Sequence, residues 1–398
     1  MGSGKPRLLI MGVHPVSDGY PSVRFRVEGL HRSACFSVTE INTPAWDNEL
    51  HHRRGVWRMA SKIFRGIYAH TSVLVRYLVM GRAERVYVPY PAVFVVLLLS
   101  LLPRRLQPRC IVMDVFISLY DTVVIDRGYL SASSWSARML RMLENRALTH
   151  ADSVITDTPQ NSRYLCKLYG LDTNKVIDLP LATDERHFYA FPEHQSDSTC
   201  TVLFIGTLVP LHGIETILAA IEDLRDRLDI RFRVIGDGQM SALLEEFVSG
   251  DRHPLVWIRP WQSSASLAEE IRKADICLGI FGNGVKAQRV CPLKLYMYAA
   301  CGKAIITGDS EWARDATDGL EYIPFRTSRV GAGVALADQI RELADSSELR
   351  GSLSAGSRKF YTERLSNQIG LTKLEALIEG VSGRSAESVP AKQDHEFE

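Results

Sequence analysis

Short apolar runs that end in glycine or a polar turn alternate along this chain with segments whose apolar positions recur at helical spacing. That is the rhythm of an open, largely parallel α/β sheet. The runs predict strands at Arg7 to Gly12, Arg85 to Val88, Cys110 to Val115, Ser153 to Thr156 and Val176 to Leu179, then at Val202 to Gly206, Phe232 to Gly238, Val256 to Ile258, Ile276 to Phe281, Ala304 to Thr307 and Leu320 to Ile323. Helices are expected after Pro21, with Val23, Val27 and Leu30 on one face, at Ser131 to Thr149, at Gln160 to Tyr169, from Ile214 to Leu224, and from Pro292. A chain of 398 residues exceeds one ordinary core, so two α/β domains are expected. The polar stretch Glu193 to Thr199 marks the junction. The expected parts are residues 1–192, residues 200–361, a last helix over 362–380 from about Thr362, and a polar, disordered tail over 381–398.

Two segments do not fit the simple rhythm. Between Arg53 and Arg85 the basic residues Arg53, Arg54, Arg58, Lys62, Arg65, Arg76, Arg82 and Arg85 face one acid, Glu84, and interleave with Trp57, Ile63, Phe64, Ile67 and Tyr68. Such a helix suits an anionic membrane surface; an amphipathic helix covering a sheet has the same pattern. Pro91 to Pro103 is the most apolar run, but at about twelve residues it is too short for a spanning helix, which takes about twenty. It reads as a buried helix, with shallow membrane contact as the lesser option.

Charge and cysteine usage narrow the classes. A net charge of +1 argues against nucleic acid as the main partner. The seven cysteines are scattered, with no C-x-x-C pair, so neither a disulfide frame nor a zinc site is suggested. The opening MGSGKPR leads into a strand with no long apolar leader, so a cytoplasmic location is expected, with peripheral attachment to the inner face of the membrane as an option.

The stretch Cys277 to Asp309 carries the densest chemistry: a strand, a loop with Lys286, Arg289 and Lys294, a helix opening at Pro292, then another strand. The free N–H groups of a first helical turn, with cations around them, make a site for a diphosphate; solvated cations in an ordinary α/β loop are the plain alternative. Gly206 and Gly213 fix a strand–turn–helix unit in which backbone N–H groups can approach phosphate, with His212 as a side-chain donor. Gly236 repeats the pattern, and Trp261 could lie against a nucleobase or in the core. In the first half, Asp114, Asp121, Asp126 and Arg127 follow a buried strand, where ligands of open sheets bind. A carboxylate there could orient or deprotonate a sugar hydroxyl, or merely cap a turn. His14, Arg24 and Arg127 are candidate acceptor contacts, with Arg26 beside Arg24; a solvated first turn explains the last two equally.

With these motifs in order, the chain resembles the GT-B glycosyltransferases of family 4, the glycosyltransferases group 1. FIGTLVPLHGIETILAAI is similar to the family's phosphate turn and helix, and PLKLYMYAACGKAII to its P-N-K-L-x-E-Y-x-A-x-G-K-P block. ADSVITDTPQNSRYL and LPLATDERHF resemble, more weakly, the stretch before the linker. The resemblance implies two Rossmann-like domains facing across a cleft, a nucleotide-diphosphate sugar held by the second and an acceptor, a glycan or lipid-linked glycan, by the first. It implies transfer of a hexosyl group with retention in glycoconjugate or polysaccharide assembly. No cofactor and no essential metal are implied, the leaving diphosphate being met by Lys286, Arg289 and Lys294.

The departures are specific. Thr207 and His212 stand where the family has Arg and Lys in its phosphate turn, and Arg289 and Met297 where it has paired glutamates. Asp114 stands for its N-domain histidine. The expectation is an active branch in which Arg289 and Lys286 stabilise the leaving group and Asp114 or Asp121 orients the acceptor. The donor contacts expected are Gly206, Thr207, His212, Gly213, Gly236, Trp261, Pro292 and Lys294. A non-catalytic partner with a decayed donor site and a nucleotide-sugar 2-epimerase are the alternatives.

Overall fold

The structure is a computed structural model; it describes residues 5–16, 20–45, 56–191, 199–250, 255–260 and 262–387, without the side chains of 56–60, 62 and 381–387. The junction residues 192–198, Arg53, Arg54, Trp261, the side chains of Trp57, Arg58 and Lys62, and residues 388–398 lie outside that description.

Two six-stranded, wholly parallel sheets organise the chain. The first unit runs β1 (Arg7–Gly12), α1 (Pro21–Arg32), β2 (Ser37–Asn42), α2 (Val56–Met80), β3 (Arg85–Val88), α3 (Val93–Ser100), β4 (Cys110–Asp114), α4 (Trp135–His150), β5 (Ser153–Thr156), α5 (Pro159–Tyr169) and β6 (Val176–Asp178). Its strand order is β2-β1-β3-β4-β5-β6. The second unit runs β7 (Cys200–Ile205), α6 (Ile214–Asp223), β8 (Ile230–Ile235), α7 (Ser241–Ser249), β9 (Leu255–Ile258), α8 (Ser264–Lys273), β10 (Ile276–Leu278), α9 (Leu293–Ala300), β11 (Ala304–Gly308), α10 (Glu311–Thr317), β12 (Arg326–Ser328), α11 (Gly333–Asp345) and α12 (Ser347–Phe360). Its order, β12-β11-β10-β7-β8-β9, is that of a dinucleotide-binding sheet, with the direction of winding reversing between β7 and β10.

Central strands such as β4 and β11 are buried along their whole length. This is why they read as unbroken apolar runs: helices cover both faces. α13 (Asn367–Glu387) leaves the second unit and packs Leu374, Leu377 and Ile378 against Leu8, Ile10 and Leu30 of the first.

Several expectations are corrected. β2, SVTEIN, is half exposed and polar, so its run was too weak to read. No strand forms at Leu320 to Ile323; the sheet is completed by Arg326–Ser328. The expected strand over Ile276 to Phe281 stops at Leu278; just beyond it, Ile280 N donates to the Thr307 side chain, Oγ1 at 3.3 Å, instead of to a backbone carbonyl. The last helix begins at Asn367, after a π-helical turn at Tyr361–Leu365, and runs on to Glu387, into the segment expected to be disordered. α3 is the expected short buried helix, and no helix among the described residues is long and apolar enough to cross a membrane.

Candidate active site at the facing edges of the two sheets

The carboxyl ends of β7, β8 and β10 are closed by glycines that let three loops touch. A Cβ on Gly236 (φ +133°) would strike the Gly206 carbonyl, and one on Gly213 (φ +62°) the backbone of Phe281 and Gly282. Gly213 and Gly236 are thus small because other backbone fills their side, not to admit a phosphate. Gly206 differs: a Cβ there would stand 2.7 Å from the His212 ring and 2.9 Å from Lys294 Nζ. Leu208, fully buried, holds a left-handed φ of 43° in this loop. Such a φ is strained for a branched side chain, and strain of this kind gathers at ligand sites.

His212 and Lys294 are the distinctive pair. Both are buried, Lys294 Nζ lies 3.9 Å over the Phe204 ring, and neither Lys294 Nζ nor His212 Nδ1 has a hydrogen-bond partner. Burial pushes the Lys294 ammonium well below its ordinary range. Burial, then the charges of Lys294 and Arg127, push the His212 imidazole down as well. An unpaired donor in such a place costs about 1 to 3 kcal/mol, so the pair is placed to take an acceptor from outside the chain, such as the oxygen of an anion. Lys294 is carried by the first turn of α9, where helical N–H groups favour the same charge. Pro292 is the N-cap residue of that helix rather than its first turn. Thr207 is half-buried beside Gly206, its carbonyl facing Gly238. Arg127 reaches toward this place from the first unit, its Nε buried and unpartnered.

Lys286 and Arg289 do face the boundary between units, but carboxylates meet them there. Lys286 Nζ lies 3.4 Å from Asp126, 3.6 Å from Asp121 and 2.9 Å from Thr122 Oγ1. Arg289, 3% exposed, pairs with Asp121, donates from Nε to Asn161 Oδ1 at 3.2 Å, and stacks 3.6 Å over Tyr164. Asp121 and Asp126 are positioned by a π-helical turn, Asp121–Asp126, a distortion frequent at functional sites. The turn is anchored by the fully buried Glu144, whose carboxylate accepts from Leu119 N at 2.8 Å, Tyr120 N at 2.9 Å, Ser118 Oγ at 3.0 Å and Tyr169 Oη at 2.6 Å.

Three other expected contacts are spent inside the first unit. Asp114 is bonded to Arg26 at 2.5 Å and to Tyr87 Oη at 2.9 Å, while Arg26 also donates to the Leu179 and Pro180 carbonyls. With 1% exposure Asp114 is a core ion pair, and its other oxygen, Oδ1, accepts from Phe116 N at 3.3 Å. His14 Nε2 lies 3.2 Å from Glu40, whose carboxyl the bonds to His14 and His31 hold down at about 2. Arg24 pairs with Asp184 at 3.3 Å and Glu28 at 3.5 Å, so it holds the interdomain connection, not a ligand.

Reading the sequence missed Asp157, Asn161 and Glu144. Asp157 directly follows β5 and Asp114 ends β4, and the strand-end rule that singled out one applies to the other. Burial raises its carboxyl to about 6, and Asn161 Nδ2 donates to it at 2.8 Å while also holding Arg289. Glu144 lies mid-helix with no local sign of its role. Met297, where a glutamate was expected by resemblance, packs against the second unit's core.

Two sheets of this kind, edge to edge, define the GT-B fold. The solved sucrose-phosphate synthase of Thermosynechococcus elongatus superposes with a TM-score of 0.71 at 14% identity, over 96% of this chain and 100% of that one. HepE of Anabaena, in complex with UDP, gives 0.64 at 12% over 94% and 100%. WaaG, a glycosyltransferase involved in lipopolysaccharide biosynthesis, gives 0.60 at 14% over 94% and 100%. Within this fold, residues 199–346 match the model of the family "Glycosyl transferases group 1". No curated protein matches the chain.

Proposed function

We propose that the protein is a retaining glycosyltransferase of the family 4 type, moving a hexosyl group from a nucleotide-diphosphate sugar to a hydroxyl of a glycan or lipid-linked glycan in glycoconjugate or polysaccharide assembly. The observation that carries this reading is the buried Lys294 and His212 pair, unpartnered beside Gly206 where the second sheet changes its direction of winding. Ligands of open α/β sheets bind at that place. The diphosphate takes both donors, and the departing negative charge is met by Lys294, by His212 and, from across the boundary, by Arg127. No metal is called for in this scheme. Lys286 and Arg289 add to it once the donor has drawn them from Asp121 and Asp126, and the freed Asp121 is then placed to orient the acceptor hydroxyl.

HepE is solved with UDP and with UDP-glucose, which makes uridine diphosphate the first nucleotide to try. The test is a melting-temperature panel of nucleoside diphosphates, followed by incubation with the matching nucleotide sugar alone. A ligand of the folded state raises the melting temperature, and slow hydrolysis of the sugar is the expected side reaction of a transferase lacking its acceptor. A second reading has its own support: because Asp121 and Asp126 already neutralise Lys286 and Arg289, those cations could serve only to clamp the units in a non-catalytic partner. That reading predicts no shift with any nucleotide.

A further inference from the structure

We propose that α2 and the adjoining end of α3 form a platform that docks onto an anionic lipid surface. α2 is apolar on two opposite faces. Ala69, Val73 and Tyr77 point inward and are 1% exposed. At about 3.6 residues per turn, Phe64, Ile67, Tyr68, Val75 and Val79 fall on the far side, and Phe64 and Val79 are 73% and 85% exposed. Leu101, at the end of α3, is a further exposed apolar side chain, 63% open. A helix apolar all round is normally buried, and an apolar strip of this length on a surface marks an interaction site.

Charge selects the occupant. From residue 56 to residue 113 there are nine Lys or Arg and one acid, Glu84. Arg65, Arg76, Arg82, Arg104 and Arg105 are exposed. A second copy of the chain would bring the same face, and so the same positive rim, against itself across a two-fold axis. An anionic headgroup layer instead pairs with the rim while the strip enters the acyl boundary, the geometry of a helix lying in the interface plane. Since no described helix can span a bilayer, this is attachment and not insertion. The placement also suits an acceptor carried on a lipid. Thr43 and Asn42, at the carboxyl end of β2, meet Ser72 and Arg76, so the earlier turns of α2, with Phe64 and Ile67, project beyond the sheet edge that faces the second unit.

The test uses the full chain with vesicles of phosphatidylcholine alone and of phosphatidylcholine mixed with phosphatidylglycerol. Co-sedimentation with the mixed vesicles only, weakening as salt rises, is expected. The double variant Phe64→Ser/Ile67→Ser should lower vesicle affinity by roughly tenfold or more with an unchanged melting temperature, since both side chains are exposed; Arg104→Glu/Arg105→Glu should lower it for mixed vesicles. Binding to neither vesicle, unchanged binding by the serine variant, or a wild-type dimer that the serine variant dissociates in sedimentation would each overturn the proposal, the last in favour of a protein occupant. None of these readouts involves a nucleotide, so they stand or fall apart from the transferase reading.

Discussion

The two sheet edges that face each other are built of similar strands but treat their polar groups in opposite ways. On the first unit, Asp114 is satisfied within the unit by Arg26 and Tyr87, Glu144 by four donors and His14 by Glu40, while Asp121 is met from across the boundary and Arg127 Nε has no partner. On the second, glycines bring three loops together and leave His212 and Lys294 without partners. Closed polar networks hold a shape, whereas open ones hold a place for something absent from the chain. The contrast explains why an aspartate at a strand end is structural in one unit while a lysine at a helix start in the other is the better candidate for chemistry.

The contrast can be broken most forcefully at Asp114. Asp114→Ala strands Arg26 in the core and should cost about 3 to 5 kcal/mol, read as a lowered midpoint in urea unfolding; a loss of turnover with unchanged stability would instead restore Asp114 to a catalytic role. Lys294→Met should act the other way. Turnover falls by about two orders of magnitude, while thermal stability rises, by about 1 to 3 kcal/mol, because an unpaired buried donor has gone. Lower stability together with full turnover would make Lys294 a structural residue.

Asp157 sharpens the comparison through pH. Its folded carboxyl titrates near 6, above the ordinary value, so the folded state holds its proton longer than the unfolded chain does. The stability this gives is present in full below the unfolded value near about 4, falls as pH rises through about 6, and is then flat, a change on the order of 2 to 3 kcal/mol. Urea unfolding between pH 4 and pH 7, compared with Asp157→Asn, reads it, and the same slope in both would remove Asp157 as the cause. The smallest effect is expected at the clamp. Asp121→Asn weakens the hold on Lys286 and Arg289, so nucleotide affinity should rise severalfold, about 1 kcal/mol, while turnover with acceptor falls; weaker nucleotide binding would count against release of the clamp.

Legibility followed the same divide. The second unit was readable because glycine turns and apolar strands are local signals: VLFIG, FRVIGDG and PLKLYMYAACGKAII each mark an element by themselves. The site within it was half readable. Lys294 and His212 could be named, but that Arg289 and Lys286 are met by Asp121 and Asp126 depends on how the units face one another, which no local pattern carries. In the first unit, β2 was hidden by its polar, half-exposed face. Asp114 looked like a catalytic acid because its partner, Arg26, lies 88 residues away in sequence. The π-helical turn has no sequence signature of its own; it exists because Glu144, from another helix, holds its beginning.

The most direct measurement is the proton balance of UDP binding, by calorimetry in buffers of different ionisation heat near neutral pH. A diphosphate settling against Lys294 and His212 restores the proton affinity that burial has removed, so binding should take up protons and tighten as pH falls, and Lys294→Met should abolish most of that uptake. Binding with no proton exchange and with equal affinity in Lys294→Met, or no binding by any nucleoside diphosphate, would contradict the assignment of this pair to the leaving group.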